Sequence, residues 1–371
     1  MNQRKVKIFV AAIAAFVVLV SGIYLVRLKT RNVVDALAIN KSMINILVAG
    51  NNAFHNNRVP FYSIISINPD NGRIGVTFLP PSLKVDNGDD ESVRLDQMDV
   101  RDFDKVSEYL YRSLKLKVQF YAILYGPDAA RFVDMIEGIN LYVLDQVKDI
   151  EGLHAGLNYF DGKKAVRYVN QSEDNSIFKK YDRIQDILFT MYYNREDYKR
   201  YLNRDFLAEM MRTIKTNILP NEAYSLGKII MKNGDLFCKV LPGKVSSEGD
   251  YFLDEVAYKI YESEFLKRLV VKKDETENIK VKVLNAAGAP GIARKVRSLL
   301  VREGVSVIEF GTYPGPFLEN SIIINQKGDI SSVKKVSELT GVTAIYHIVD
   351  STQLQSVLFI AGKDLAGEKK Q

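Results

Sequence analysis

The sequence contains one cysteine, no tryptophan and three histidines among its 371 residues. The lone Cys238 excludes an intramolecular disulfide and any zinc site built from several thiolates. A histidine-rich metal centre is disfavoured, because only His55, His154 and His347 could supply imidazole ligands. The sequence also lacks a Walker loop, a Gly-x-Ser-x-Gly elbow and a helix-turn-helix pattern. These absences argue against a P-loop nucleotidase, an α/β-hydrolase and a DNA-binding protein.

Charge is absent from one apolar stretch at the start of the chain, Ile8–Val26. A helix of about 19 residues, rising about 1.5 Å per residue, spans roughly the hydrocarbon core of a bilayer. Basic residues flank the stretch on both sides, namely Arg4, Lys5 and Lys7 before it and Arg27, Lys29 and Arg31 after it. The basic residues after it are a poor cleavage context, so we expect a retained anchor rather than a cleaved signal peptide.

The short basic tail before the anchor indicates an N-terminus in the cytoplasm and a body on the other side of the membrane. The formal net charge of +6 is mild, and part of it surrounds the anchor, where it would meet anionic lipid head groups. The sequence therefore predicts a single-pass membrane protein with an extracytoplasmic body.

Strand and helix patterns alternate beyond the anchor and a short connecting helix. A buried strand is predicted at 44–50, and a hairpin at 63–79 turns at Pro69–Gly72. Apolar residues at helical spacing predict a helix at 103–114, and strands follow at 118–125 and 139–143. Long helical patterning extends from 184 to about 218. This mixture predicts an α/β domain with a mixed sheet flanked by helices.

A second, smaller α/β unit is predicted after the charged stretch at 272–278. A strand at 279–284 and the small-residue loop Asn285–Gly291 lead into a helix at 292–303, which Gly304 ends. Pro290 and the missing G-x-G-x-x-G spacing favour a tight turn over a dinucleotide site. The predicted organisation is a cytoplasmic tail at 1–7, the anchor at 8–26, a connector at 27–42, the first domain at 43–270, a linker at 271–278, the second domain at 279–365 and a tail at 366–371.

Three segments carry a resemblance to a known family. Residues 156–169, GLNYFDGKKAVRYV, resemble the G-x-x-x-L-x-G-x-x-A-L-x-Y-V stretch of the LytR-CpsA-Psr (LCP) family. Residues 239–258, which include Leu241-Pro242-Gly243, resemble the end of the same domain. Residues 283–293, VLNAAGAPGIA, are similar to the V-L-N-G-T-G-x-x-G-L-A opening of the LytR C-terminal domain. Together these resemblances cover nearly all of the chain outside the anchor.

The resemblance implies a protein of the bacterial plasma membrane and cell envelope. Catalytic LCP proteins are phosphotransferases that move a glycopolymer from a polyprenyl-pyrophosphate carrier onto peptidoglycan or another acceptor. The lipid tail lies in an apolar pocket, arginines hold the pyrophosphate, and acidic residues with a divalent cation assist. The expected partners are the membrane, a polyprenyl-linked glycopolymer or peptidoglycan, and envelope proteins, with no nucleic acid. Mg²⁺ is expected only if transfer is retained.

Most positions that the family uses for catalysis are substituted in this sequence. Pro60 replaces the Asp two residues after Arg58, and Asn51 or Asn52 replaces the Asp after the first strand. The remaining substitutions are Pro80-Pro81-Ser82 for Pro-Arg-Asp, Arg94-Leu95-Asp96 for Lys-x-Asn, Asn170-Gln171-Ser172 for an arginine pair, and Asp186 or a neighbour for the second Arg of G-R-x-x-R-Q-Q. Each lost arginine would remove a charge-assisted contact of about 1.5–3 kcal/mol.

Four arginines remain as candidates for binding a pyrophosphate: Arg58, Arg94, Arg167 and Arg183. The alternative is that each is a surface or structural arginine, with Arg183 paired to Asp182 and Asp186 on its own helix.

The leading hypothesis is an LCP-like binder of polyprenyl-pyrophosphate-linked glycopolymer or wall components, with lost or weak catalysis. The alternatives are an active glycopolymer phosphotransferase and a structural envelope protein that acts through its C-terminal domain. An apolar tunnel near Arg58, Arg94 and Arg183 would favour lipid binding. A core filled by side chains would favour the structural protein.

Overall fold

The computed structural model describes residues 32–51, 61–89, 91–144, 152–170, 176–271 and 279–366. The expected anchor Ile8–Val26 and the candidate Arg58 lie outside the described residues. Within the described ranges, no helix combines the length and the apolar content that crossing a bilayer requires.

Short strands and helices alternate along the described chain. The strands are β1 (Ile44–Asn51), β2 (Phe61–Ile67), β3 (Ile74–Leu79), β4 (Lys84–Asp86), β5 (Ser92–Arg94), β6 (Phe120–Tyr125), β7 (Ile139–Val143), β8 (Gly156–Phe160), β9 (Lys215–Thr216), β10 (Leu236–Val240), β11 (Gly243–Val245), β12 (Tyr251–Leu253), β13 (Lys280–Asn285), β14 (Ser306–Thr312), β15 (Ile322–Asn325), β16 (Ile345–His347) and β17 (Val357–Ala361). The helices are α1 (Val33–Ile39), α2 (Phe103–Leu114), α3 (Gly126–Met135), α4 (Gly162–Asn170), α5 (Ile177–Tyr193), α6 (Arg204–Thr213), α7 (Pro220–Ile230), α8 (Glu255–Tyr261), α9 (Ile292–Arg302) and α10 (Ile330–Thr340).

A six-stranded mixed sheet organises the N-terminal part, in the order β10-β3-β2-β1-β6-β9. β1 runs antiparallel to β2 and parallel to β6, which fixes the mixed character that the sequence predicted. The predicted hairpin is confirmed as β2 and β3, where Ile65 pairs with Val76. Gly72 adopts φ +72° in the connecting turn, a conformation that favours glycine.

A five-stranded sheet organises the C-terminal part, in the order β14-β13-β17-β15-β16. All its pairings are parallel except that between β15 and β17. Gly291 and Gly304 flank α9 with φ of +85° and +80°, so the predicted strand-turn-helix and its stop are confirmed. The second, smaller α/β unit is therefore present, and residues 279–366 are called the C-terminal domain below.

The helical patterning from 184 to about 218 proved to be two helices rather than one long helix. α5 ends at Tyr193, and α6 begins after Asn203, whose side-chain oxygen accepts a hydrogen bond from the Phe206 backbone N–H at 2.9 Å. Asparagine at this position favours a helix start, because its side chain satisfies one of the unpaired N–H groups there. Apolar periodicity alone did not reveal this break.

The two sheets share a hydrophobic core. Buried residues of α5 such as Tyr181 and Phe189 belong to the same cluster as Val333 and Val336 of α10. Cys238 of β10 donates its backbone N–H to the Gly328 carbonyl at 2.6 Å. The C-terminal domain is thus packed on the N-terminal part through both side chains and backbone.

Candidate functional site

Two apolar cavities lie against one face of α5. The first cavity has a volume of about 210 Å³ and lies between the ends of β1 and β6 and the helices α3, α4 and α5. The second cavity has a volume of about 440 Å³ and lies between β2 and β3 on one side and α5, α6 and α7 on the other. Both are lined by Phe132, Leu188 and Met191, so the two cavities adjoin along α5.

The chemistry of the cavity walls suits a hydrocarbon chain. Aliphatic and aromatic side chains make up most of both linings, and Met191, Met210, Met211 and Met231 contribute flexible thioethers. Cavities with apolar walls stay dry and accept apolar ligands, because water finds no hydrogen-bond partners there. The core beneath the sheet is therefore not completely filled by side chains.

Arg183 and Arg167 belong to α5 and α4, two helices that border the first cavity, although neither arginine is itself one of its lining residues. Arg183 donates from Nη1 to the Tyr168 carbonyl at 2.6 Å, and its guanidinium lies 5.1 Å from the centroid of the Tyr168 ring. The next residue, Ile184, lines the first cavity. Arg167 is exposed on α4, next to Val166, which also lines that cavity. The two cations thus lie on adjacent helices that both contribute to the wall of the first cavity.

Arg94 is engaged elsewhere. Its Nε and Nη2 donate to Asp96 at 2.9 and 2.7 Å, and its Nη1 donates to Asp250 at 3.1 Å. Lys84 completes the group through a 3.2 Å contact with Asp250. The bond to Asp96 is the main cause of the raised pKa of Arg94. Arg94 lines neither cavity, and its guanidinium is held by Asp96 and Asp250 rather than by residues of α4 or α5.

The alternative ion pairs of Arg183 with Asp182 and Asp186 are not formed. Asp186 instead accepts from the Val349 backbone N–H at 2.5 Å and from the Tyr168 hydroxyl at 2.6 Å. Asp182 accepts from the backbone N–H and the hydroxyl of Ser351, at 3.1 and 3.0 Å. Asp182 and Asp186 lie on the face of α5 that contacts the C-terminal domain. Arg183 instead contacts the Tyr168 carbonyl near the C-terminal end of α4.

Burial dominates the electrostatics of this pair of carboxylates. Asp186 is 2% exposed, and desolvation raises its pKa to about 8 despite the two hydrogen bonds it accepts. Desolvation also raises the pKa of Asp182, although the hydrogen bonds from Ser351 lower it.

One sequence pattern could have indicated that Asp182 and Asp186 are buried. Asp182 and Asp186 share one face of the helix with Phe189 and Tyr193. The two aromatic residues indicate that this face is covered by another part of the protein rather than exposed to solvent.

The donor set for a divalent cation does not assemble in the ranges that the structure describes. No group of three His, Cys, Asp or Glu side chains there could hold a metal ion. What the described residues do provide is a pair of apolar cavities bordered by α4 and α5, the helices that carry Arg167 and Arg183.

Comparisons with known proteins agree with this architecture. Residues 278–364 match the model of the family described as LytR cell envelope-related transcriptional attenuator. TagV of B. subtilis superposes with a TM-score of 0.50 at 14% identity, covering 63% of this chain and 99% of TagV. A structure of TagT bound to LIIa-WTA gives 0.52 at 17% identity, covering 62% of this chain and 91% of TagT. Such identities establish the fold alone, and no curated protein matches the sequence.

Proposed function

We propose that this protein is a membrane-anchored binder of polyprenyl-linked glycopolymer in the bacterial cell envelope. The proposal is supported by the combination of a domain of the LCP fold with a LytR C-terminal domain. The anchor would be Ile8–Val26, with the body outside the cytoplasm. The ligand class would be a polyprenyl chain whose phosphate or pyrophosphate carries a wall glycopolymer. Transfer of that glycopolymer would be absent or weak.

The adjoining apolar cavities are the observation that carries this proposal. With volumes of about 210 and 440 Å³, they extend along α5, and the helices α4 and α5 that border the first cavity carry Arg167 and Arg183. A hydrocarbon tail with a phosphate head needs this combination, because the tail seeks dry apolar walls and the phosphate seeks guanidinium groups. A structure of TagT, which has a similar fold, shows that protein bound to LIIa-WTA. The unfilled cavities disfavour the purely structural alternative.

The proposal is tested by identifying any lipid that remains bound to the purified protein. Full-length protein extracted in a mild detergent is expected to release a prenyl lipid that mass spectrometry identifies. Ala129 lines the first cavity, so Ala129→Phe fills it and is expected to abolish most of the bound lipid. Ala129→Val adds little volume and serves as the graded control.

Thermal stability separates loss of binding from loss of folding in that experiment. Filling an existing void does not destabilise a protein that has room for the side chain, so Ala129→Phe should melt at or above the wild-type temperature when no lipid is present. Wild-type protein that releases no prenyl lipid, or Ala129→Phe protein that retains it fully, would refute the proposed ligand class.

A transfer assay distinguishes the binder from the active phosphotransferase. With a lipid-linked glycopolymer donor, a peptidoglycan acceptor and Mg²⁺, we expect little or no turnover, because most family arginines and acids are substituted. Arg183→Ala should still weaken donor binding, by about 10- to 100-fold, since a charge-assisted contact contributes about 1.5–3 kcal/mol. Efficient turnover that disappears in Arg183→Ala would establish the enzyme instead.

A further inference from the structure

α5 has two faces with different neighbours. Ile184, Ile187, Leu188 and Met191 recur at helical spacing and line the cavities. Asp182, Asp186, Phe189 and Tyr193 recur on the opposite side and contact the C-terminal domain. At about 100° per residue these two stripes lie roughly 180° apart. One helix therefore separates the cavities from the C-terminal domain.

The contacts on the outer face are specific. Backbone N–H groups of Val349 and Ser351 donate into Asp186 and Asp182, and Lys179 forms a 3.2 Å ion pair with Asp350. The ring of Phe189 stacks on His347, with 5.6 Å between centroids. A buried carboxyl group that loses its hydrogen-bond donors costs free energy, because no water replaces them. The position of the 349–351 loop is therefore coupled to that of α5.

One of these two acids, Asp186, is also connected through a tyrosine to α4, which borders the first cavity. The Tyr168 hydroxyl donates to Asp186, and the Tyr168 carbonyl accepts from Arg183. Tyr168 belongs to α4, whose residues Val166 and Val169 line the first cavity. A shift of the loop at Val349 would thus be transmitted to α4 and Arg183 as well as to α5.

We propose that α5 and Tyr168 couple the docking of the C-terminal domain to the cavities, so that a bound prenyl chain strengthens docking and weaker docking releases the chain. This inference rests on the proposed function, because it concerns regulation of the same site. Two sites that bias one packed element must affect each other equally, as binding linkage requires. Any envelope partner that pulls the C-terminal domain away would then act on ligand release.

The test measures both directions of the coupling with full-length protein in detergent. Geranylgeranyl phosphate serves as the probe, because it combines one prenyl chain with a phosphate. Asp182→Ala removes the acceptor of Ser351 without touching a cavity wall, and we expect it to weaken probe binding by about 3- to 30-fold. In wild-type protein, the probe should slow hydrogen exchange at the Val349 and Ser351 amides by a comparable factor.

Two further variants complete the test. Ser351→Ala removes only the hydroxyl contact of an exposed loop residue, so it keeps the fold and should show a smaller change of the same sign. Glu338→Gln alters an exposed charge on α10 and should change neither measurement. Wild-type protein that does not bind the probe would refute the proposed function. Normal binding by wild type, Asp182→Ala and Ser351→Ala, with exchange insensitive to the probe, would refute the coupling alone.

Discussion

Replacing Phe189 by alanine is expected to lower the free energy of unfolding of the whole protein by about 3–5 kcal/mol. Phe189 is fully buried on α5 and belongs to the hydrophobic cluster that unites the two sheets. Its removal would leave a cavity against His347, on which the ring now stacks. The loss should appear in the unfolding of both the N-terminal part and the C-terminal domain, because they share this core.

Urea unfolding of the full chain, followed by circular dichroism and by tyrosine fluorescence, measures this effect. The absence of tryptophan leaves the tyrosine signal unmasked. Phe178→Ala is the matched control, since Phe178 lies on the same helix but is 39% exposed, and it should cost less than about 1 kcal/mol. Two separate transitions, of which Phe189→Ala moves only one, would contradict a shared core.

Local elements were predictable because their determinants lie close together in the sequence. The hairpin of β2 and β3 follows from a turn between two apolar strands, and α2 follows from apolar residues at helical spacing. The turn before α9 was also predicted, since a strand, small residues and a glycine stop occur in order. Each of these patterns is complete within about 20 residues.

The short edge elements were not predictable, because the interactions that define them are distant in sequence. β16 has three residues, and its strand character comes from pairing with β15 more than 20 residues earlier. β10 pairs in parallel with β3, across more than 150 residues. A segment of a few apolar residues is compatible with strand or loop until its partner is known.

The candidate arginines came from the resemblance to the LCP family and stay a prediction. Among them, Arg167 and Arg183 lie on α4 and α5, whose neighbouring residues line the first cavity. Arg94 was equally plausible from the motif, yet Asp96 and Asp250 neutralise it. No local sequence pattern predicts the two cavities, because their walls come from the helices α3 to α7 and from β1, β2, β3, β6 and β10. The role of Asp182 and Asp186 depended on the 349–351 loop, which lies over 160 residues away.

The contact between α5 and the C-terminal domain contains two buried titratable groups, Asp186 and His347. Their shifted pKa values change the free energy of unfolding in opposite directions as pH rises. Desolvation raises the pKa of Asp186 to about 8, above the value of about 3.9 in an unfolded chain. The folded state therefore holds a proton that the unfolded state has lost, so stability falls as pH rises from about 4 to 8. Desolvation lowers the pKa of His347 to about 3, and stability therefore rises between about pH 3 and 6.5.

These opposite slopes predict that the free energy of unfolding is nearly constant at mildly acidic pH and decreases at higher pH. Each group changes the free energy of unfolding by about 1.4 kcal/mol per pH unit, so their effects cancel between about pH 4 and 6.5. Above about pH 6.5 Asp186 is the one of these two groups that continues to titrate, and its deprotonation should lower the free energy of unfolding by about 2 kcal/mol by pH 8. The titratable or charged groups that act on Asp186 are Tyr168 of α4 and Asp182 and Arg183 of α5. Lys179, His347 and Asp350 belong to the same contact between α5 and the C-terminal domain.

Asp186→Asn isolates this effect, because asparagine keeps an acceptor for the Val349 N–H but does not titrate. Urea unfolding at half-unit steps from pH 5 to 9 should show the decline in the wild type and none in the variant. Below about pH 6.5 the variant should instead gain stability with rising pH, since the slope of His347 is no longer cancelled. For Asp350, desolvation is outweighed by hydrogen bonds from Thr352 and Gln353 that lower its pKa, so Asp350→Asn should leave the decline intact. A wild-type decline that persists in Asp186→Asn would show that another group is responsible.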